Sequence, residues 1–211
     1  MKIDFVSDIS CPWCAIGLNS LEQALARLDG ELSAELHFQP FELNPHMPAE
    51  GQDIQEHLAE KYGATPEQSE RNREAIRARG EAVGFHFRMD KRSRIYNTFD
   101  AHRLLHWAAL EGRQRELKHA LFRAYFTEGE NPGDTEVLVR AAEAAGLDGQ
   151  RAREVLVSGA YADEVRSAER HYLDHGIHSV PAVIVNDRHL IQGGQPSEVF
   201  ERALRQIAAE G

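Results

Sequence analysis

Cysteine is scarce in this chain of 211 residues: there are two, three positions apart in the stretch SDISCPWCAIG, residues 7–17. A framework of structural disulfides is therefore excluded, and a chain of this length buries a normal core without one. Long apolar runs are missing as well, and no stretch approaches the roughly 18 apolar residues of a membrane-spanning helix. The opening MKIDFVSDIS has a single lysine and meets Asp4 and Asp8 before an apolar run can form. It does not read as a secretory signal, so a cytoplasmic location is expected. Positive charge is in short supply too: the formal net charge is -10, which argues against nucleic acid as the main partner. The segment Arg71–Arg94 is a local exception, with eight Lys or Arg against three acids. It could receive an acidic ligand, but at helical spacing it reads better as a solvated helix face.

What remains is the composition of an ordinary globular protein, 42% apolar and 27% charged, so disorder is not expected. KIDFVSD alternates like a short strand and runs into the cysteine stretch. Ile16, Leu18, Leu21, Ala24, Leu25 and Leu28 then recur at helical spacing until Asp29-Gly30, and AELHFQ, 34–39, predicts a second strand. A strand–helix–strand unit this short favours a parallel crossover. PFELNPHMPAEG, 40–51, breaks the composition with three prolines and marks a lobe boundary. From 52 to 176 the pattern is helical, over 54–63, 66–83, 97–111, 113–128, 134–145, 148–157 and 160–176, with glycines at the helix ends. Two β-branched runs, 182–185 and 188–191, joined at Asn186-Asp187, predict a hairpin, and Pro196 opens a last amphipathic helix.

The cysteines fall where the first strand meets the first helix. With Cys11 at the N-cap, Pro12 occupies N1, where a missing N–H costs nothing, and Cys14 falls at N3 on the same turn. Side chains three apart on a helix have neighbouring Cβ atoms, close enough for a disulfide to open and close without refolding. Cys11 faces the unpaired N–H groups and the positive end of the helix dipole, which favour a thiolate by roughly 0.3–2 kcal/mol. A thiolate is the species that attacks a disulfide, so Cys11 is the expected nucleophile and the more shielded Cys14 the resolving cysteine. Two other readings stand beside this one. The pair could be half of a zinc site, with His102/His106 or His171/His175, each spaced i, i+4, as further donors; no second C-x-x-C exists to complete it. It could also be two inert packing residues, although packing gives no reason for the proline between them.

The order strand, CPWC, helix, strand, helical insert, Val180-Pro181, hairpin, helix resembles the thioredoxin fold with the helical insertion of the DsbA family. DFVSDISCPWCAIG, PFELNP, NTFDAHRLLHWA and GIHSVPAVIVNDRHLIQGGQ are together similar to its FrnE-like branch, over essentially the whole chain. The resemblance implies an α/β fold in which 1–45 and 177–211 form a discontinuous thioredoxin-like lobe and 46–176 an all-helical insertion between the βαβ and ββα halves. It implies that Pro181 is a cis proline facing the cysteines. Such a proline leaves the backbone of Ser179-Val180 free to pair with an extended partner. Pro12 and Trp13 would offer an apolar substrate surface, and His178 would line the same groove; family members commonly have small, glycine-like residues before the Val-Pro.

The implied activity is thiol–disulfide exchange on a disulfide-containing protein or small molecule. In a reducing cytosol reduction or isomerisation is the expected net direction, with no metal and no tightly bound cofactor. The alternative is a glutathione-dependent isomerase or transferase of small molecules, since the same superfamily contains 2-hydroxychromene-2-carboxylate isomerase and the kappa-class glutathione transferases. Those typically carry serine where this chain has Cys11. Glutathione is a possible co-substrate in either case, with the helix start at Gln195-Pro196-Ser197 expected to receive a carboxylate.

Overall fold

The computed structural model describes residues 1–210. Lys2–Ser7 forms β1, buried from Ile3 onward because the strand has a neighbour on each side in a four-stranded sheet. The N-terminal half of the first helix, α1 (Pro12–Arg27), is almost wholly buried, through Cys14, Ile16, Leu18 and Leu21. β2 (Glu35–Pro40) returns parallel to β1, setting Phe38 opposite Phe5 with ring centroids 6.1 Å apart, edge to face. This is the βαβ half.

A long insertion follows. It begins with β3 (Gln52–Asp53), α2 (Ile54–Tyr62), α3 (Pro66–Ala82) and β4 (Arg94–Ile95). It continues with α4 (Phe99–Leu110), α5 (Gln114–Arg123), α6 (Thr135–Ala144), α7 (Gly149–Ser158) and α8 (Ala162–Asp174). The helix starts are set by short-range chemistry. Asp53, Asp134 and Asp148 accept hydrogen bonds from the first free N–H groups of α2, α6 and α7, and Thr65 and Gln68 form a reciprocal capping box on α3. No helix among the described residues is long and apolar enough to cross a membrane.

The chain then re-enters the sheet. β5 (Ala182–Val185) lies antiparallel to β1, with Val183 opposite Phe5, and β6 (His189–Gln192) closes the edge, giving the order β2-β1-β5-β6. Asn186 and Asp187 both have positive φ, 53° and 56°, as a type I′ hairpin requires. The last helix, α9 (Ser197–Glu210), lays Phe200, Leu204 and Ile207 into the core beside α1. The fold is thus the thioredoxin fold with a helical insertion that the resemblance implies.

The structure departs from the sequence pattern in two places. Residues 52–53 and 94–95 pair as a two-stranded ribbon, too short to leave any periodicity. The helix expected over 113–128 is regular only to Arg123; Ala124–Glu128 is a π-helical turn ended by Gly129 in the left-handed region, φ 74°. That turn seats Tyr125 and Phe126 against Arg92, whose guanidinium lies 4.9 and 5.1 Å from their ring centroids.

Candidate active site

β1 ends at Ser7, and three buried residues, Asp8, Ile9 and Ser10, lead into Cys11 at the N-cap of α1, followed by Pro12. Cys11 has extended backbone angles, and its Sγ makes no capping bond to the helix. The Cys11 N–H instead donates to Asp8 O at 3.2 Å. Both thiols are free, but they are not equivalent. Cys11 keeps 4% of its surface and borders a groove, whereas Cys14 is 0% exposed and does not reach it. Burial pushes the Cys14 thiol well above the ordinary range, and the adjacent Cys11 sulfur adds to the effect; the Asp8 backbone and the Lys118 ammonium pull the other way.

The far end of the chain closes over the cysteines. The Val180–Pro181 peptide is cis, and the Cys11 thiol donates to Val180 O at 3.7 Å. Glycines make this approach possible. A Cβ on Gly17 would stand 3.1 Å from Pro181 Cγ, and one on Gly194 would stand 2.8 Å from Trp13 O.

Asp8 is the polar anchor of the site, although no motif marks it in the sequence. Fully buried, its carboxylate accepts from Thr98 Oγ1 and Ser10 Oγ, both at 2.7 Å, and from Leu43 N at 2.8 Å. His102 Nε2 lies 3.4 Å away and also reaches Phe41 O at 3.1 Å. Burial alone would favour the neutral acid, but His102, the Leu43 N–H and the Thr98 hydroxyl outweigh it and hold Asp8 at about 2. One carboxylate thus ties the segment before Cys11 to the loop after β2 and to the start of α4.

The groove beside Cys11 has a volume of ≈ 720 Å³ and takes walls from both the sheet-bearing part of the chain and the insertion. Trp13, Leu43, Ile76 and Met89 give it apolar surface, and Tyr62, 59% exposed, stands at its edge. Cations surround this surface. Lys61 Nζ is held by Leu43 O at 2.6 Å and Asn44 Oδ1 at 2.7 Å, and Arg92 donates to Ser10 O at 3.3 Å, one residue from the nucleophile position. Arg73 also lines it. The facing acid, Glu42, is raised to about 7 by burial and by the nearby Glu169 carboxylate, against the pull of its ion pair with Arg166. Such a surface suits an anionic, partly apolar partner.

Of the residues singled out in the sequence, Cys11, Pro12, Trp13, His178, Ser179 and Val180 line this groove. Pro181 is buried behind them, packed toward Gly17. Gln195 and Ser197 do not line it. Gln195 Nε2 donates to Gln192 O at 2.7 Å, and the buried Ser197 hydroxyl donates to Glu198, whose carboxylate at the start of α9 would repel a ligand carboxylate. The helix start at 195–197 is thus not brought to the groove, whose lining cations are Lys61, Arg92 and Arg73, the last ion-paired with Glu70. Arg73 and Arg92 belong to the basic run 71–94, so reading that run wholly as a solvated face was too simple: Arg71 and Arg77 are exposed, but these two turn inward. The histidine pairs serve other ends. His102 is buried against Asp8 while His106 stacks near Tyr161, and His171 and His175 lie against each other on exposed surface. Among the described residues, no group of three or more His, Cys, Asp or Glu is arranged to hold a metal ion.

Comparison with known proteins places this geometry. Residues 2–205 match the DSBA-like thioredoxin domain, so the chain belongs to that family, whose members include thiol–disulfide oxidoreductases. It is 36% identical to a probable DsbA oxidoreductase from Streptomyces coelicolor of known structure, covering 100% of this chain and 91% of that one with a TM-score of 0.91. It is 29% identical over 205 residues to the uncharacterized protein YwbO of Bacillus subtilis, covering 97% of this chain and 96% of the relative. The cytosolic disulfide reductase DsbM from Pseudomonas aeruginosa, solved with GSH, shares the fold at 17% identity, with a TM-score of 0.68 over 99% of this chain and 100% of that one.

Proposed function

We propose that this member of the DsbA-like family is a thiol–disulfide oxidoreductase or isomerase in which Cys11 is the nucleophile and Cys14 the resolving cysteine. The observation that carries the reading is the asymmetry of the pair: Cys11 borders the groove beside Val180 O, and Cys14 is sealed behind it. A partner disulfide lying in the groove meets only Cys11. The Cys11 thiolate attacks one partner sulfur, the partner's S–S bond breaks, and its other sulfur leaves as a thiolate. Cys14 then attacks Cys11 Sγ, releasing the second partner thiol and leaving the enzyme disulfide. Run backward from the oxidised enzyme, the same steps oxidise a partner dithiol.

The backbone of Ser179-Val180, just outside β5, offers an extended partner a place to pair, while Pro12, Trp13 and His178 meet its side chains, with Pro181 holding the segment in place. In this reading, residues 1–45 and 177–211 are the redox lobe and 46–176 supplies the outer wall and the cations of the groove. A reducing, cytoplasmic setting makes reduction or isomerisation the net direction, with glutathione as electron donor. Its two carboxylates match the groove cations better than the acidic start of α9.

The test is insulin disulfide reduction with dithiothreitol or glutathione as donor. The native protein is expected to turn over, Cys11→Ser to be inactive, and Cys14→Ser to accumulate a mixed disulfide visible by mass under non-reducing conditions. A second reading, glutathione-dependent isomerisation of an aromatic carboxylate, is favoured by the apolar, cation-rimmed groove. A folded protein inactive with both donors, together with Cys14→Ser that still turns over an aromatic substrate with glutathione, would replace the first reading by the second.

A further inference from the structure

Glu42, in the loop after β2, and Glu169, on α8, expose 2% and 9% of their side chains. One cation serves both: Arg166 donates through Nη1 to Glu42 Oε1 and, at 2.8 Å, to Glu169 Oε2, with its guanidinium 3.7 Å from the centroid of the Phe99 ring. The outer oxygens, Glu42 Oε2 and Glu169 Oε1, are closed off from solvent and accept from no donor. Two buried carboxylates on one guanidinium leave a net negative charge without water, which a fold carries only at a large cost. A single proton removes that cost. The two carboxyls stand within hydrogen-bond reach of each other, and two ionised carboxylates have no hydrogen to place between them. With one proton the pair forms that bond, and the two acids and Arg166 become neutral together.

Glu42 is the only acid among the described residues that line the groove beside Cys11. Leu43, the next residue, fixes Lys61 Nζ through its carbonyl at 2.6 Å, so the backbone that holds this groove cation adjoins the acid pair. The other ionisable groups on the wall are His57 and Tyr62 from α2, Arg73 from α3, Arg92 ahead of β4, and His178 and Cys11. Arg73 is already answered by Glu70. Lys61 and Arg92 are therefore the cations that an incoming anion meets, and Glu42 is the group that can oppose them.

We propose that Glu42 and Glu169 share one proton and that this pair determines which partners the groove accepts: while the proton is held, the wall is neutral and admits an anionic disulfide beside Cys11. This rests on the reading, given above, of the groove as the place where Cys11 meets its partner. When the proton leaves to solvent, the two acids and Arg166 together carry one negative charge. Glu42 then sets that charge against the partner and offsets Lys61 and Arg92. The sign is fixed: an anionic partner binds more weakly as pH rises through the loss of the shared proton, and a neutral partner of the same shape does not.

The experiment uses the Cys11→Ser protein, which lacks the attacking sulfur, and two probes, dianionic dithiodipropionate and its neutral diamide. By isothermal titration, affinity for the dianion is expected to fall about fivefold between about pH 6 and about pH 8, while affinity for the diamide stays level. Glu42→Gln keeps a hydrogen bond to Glu169 and cannot ionise, so it should hold the low-pH affinity throughout. Glu169→Gln should do the same, and it stands in for Glu42→Gln if circular dichroism finds that variant unfolded. His57 and His178 lose charge over the same range, but they are present in every protein compared, so what vanishes in the Gln variants belongs to the acid pair. Infrared spectra at about pH 6, where ordinary carboxyls are ionised, should show the carbonyl band of a protonated carboxylic acid that both Gln variants lack. Absence of that band, a dianion that does not bind at millimolar concentration, or a pH dependence equally large in both Gln variants would overturn the inference. Neither measurement needs turnover: the band and the fivefold change in a protein that reduces no disulfide would sink the redox reading alone.

Discussion

Replacing Asp8 by Asn removes one charge from the centre of the site, and its cost can be worked from the surroundings. Asp8 is held at about 2 against an ordinary value of 3.8. A depression of nearly two units, at roughly 1.4 kcal/mol each, corresponds to about 2–3 kcal/mol of folding stability. The sign follows from the direction. Because the folded carboxyl binds its proton less readily than the unfolded one, the contribution is fully present above the unfolded value. It is lost as pH falls from about 4 through about 2. An asparagine carries no charge, and its amide NH₂ cannot accept from Thr98, Ser10 or the Leu43 N–H. Urea unfolding at neutral pH is therefore expected to find Asp8→Asn less stable than the parent by about 3 kcal/mol. Repeated toward pH 2, the parent should lose stability that the variant does not, and the gap should narrow to about 1 kcal/mol. Comparing the two proteins at each pH cancels the other carboxylates. A gap that stays constant from neutral pH to pH 2 would refute the assignment of that stability to the Asp8 ionisation.

Two further outcomes follow from the groove and the closure over the cysteines. Gly194→Ala drives a Cβ to 2.8 Å from Trp13 O, a backbone atom that cannot move aside cheaply. A loss of about 1–3 kcal/mol in chemical denaturation and a fall in insulin reduction are expected; an unchanged unfolding midpoint would show that the segment does not press on α1. Arg92→Met removes the cation beside Ser10 and its stacking on Tyr125 and Phe126. The KM for a glutathione-mixed disulfide should rise several-fold and become less sensitive to salt, at a stability cost of about 1 kcal/mol. A KM and salt dependence equal to the parent's would remove Arg92 from substrate binding.

The sequence by itself determined whatever rests on short-range chemistry. Proline at N1 places Cys11 at the start of α1, side-chain caps at Asp53, Asp134 and Asp148 start three helices, and Asn186-Asp187 makes the hairpin, because each signal acts within a few residues. Apolar periodicity likewise marked the helices of the insertion, and failed where it had too little length, at the ribbon of β3 and β4 and at the π-helical turn. Only the tertiary structure decided which groups lose water together. Asp8, Leu43, Thr98 and His102 are brought together from three stretches of chain, and Cys14 is sealed from the groove that Cys11 borders. Arg92 was visible as one charge in a basic run, yet its turn into the groove depends on the rings of Tyr125 and Phe126. Gln195 and Ser197 show the converse: a helix start with Glu198 in its first turn is legible in sequence, but which way it opens is settled by packing. Ionisation and access are properties of neighbours in space, and those neighbours are chosen by burial of the whole core rather than by any local pattern.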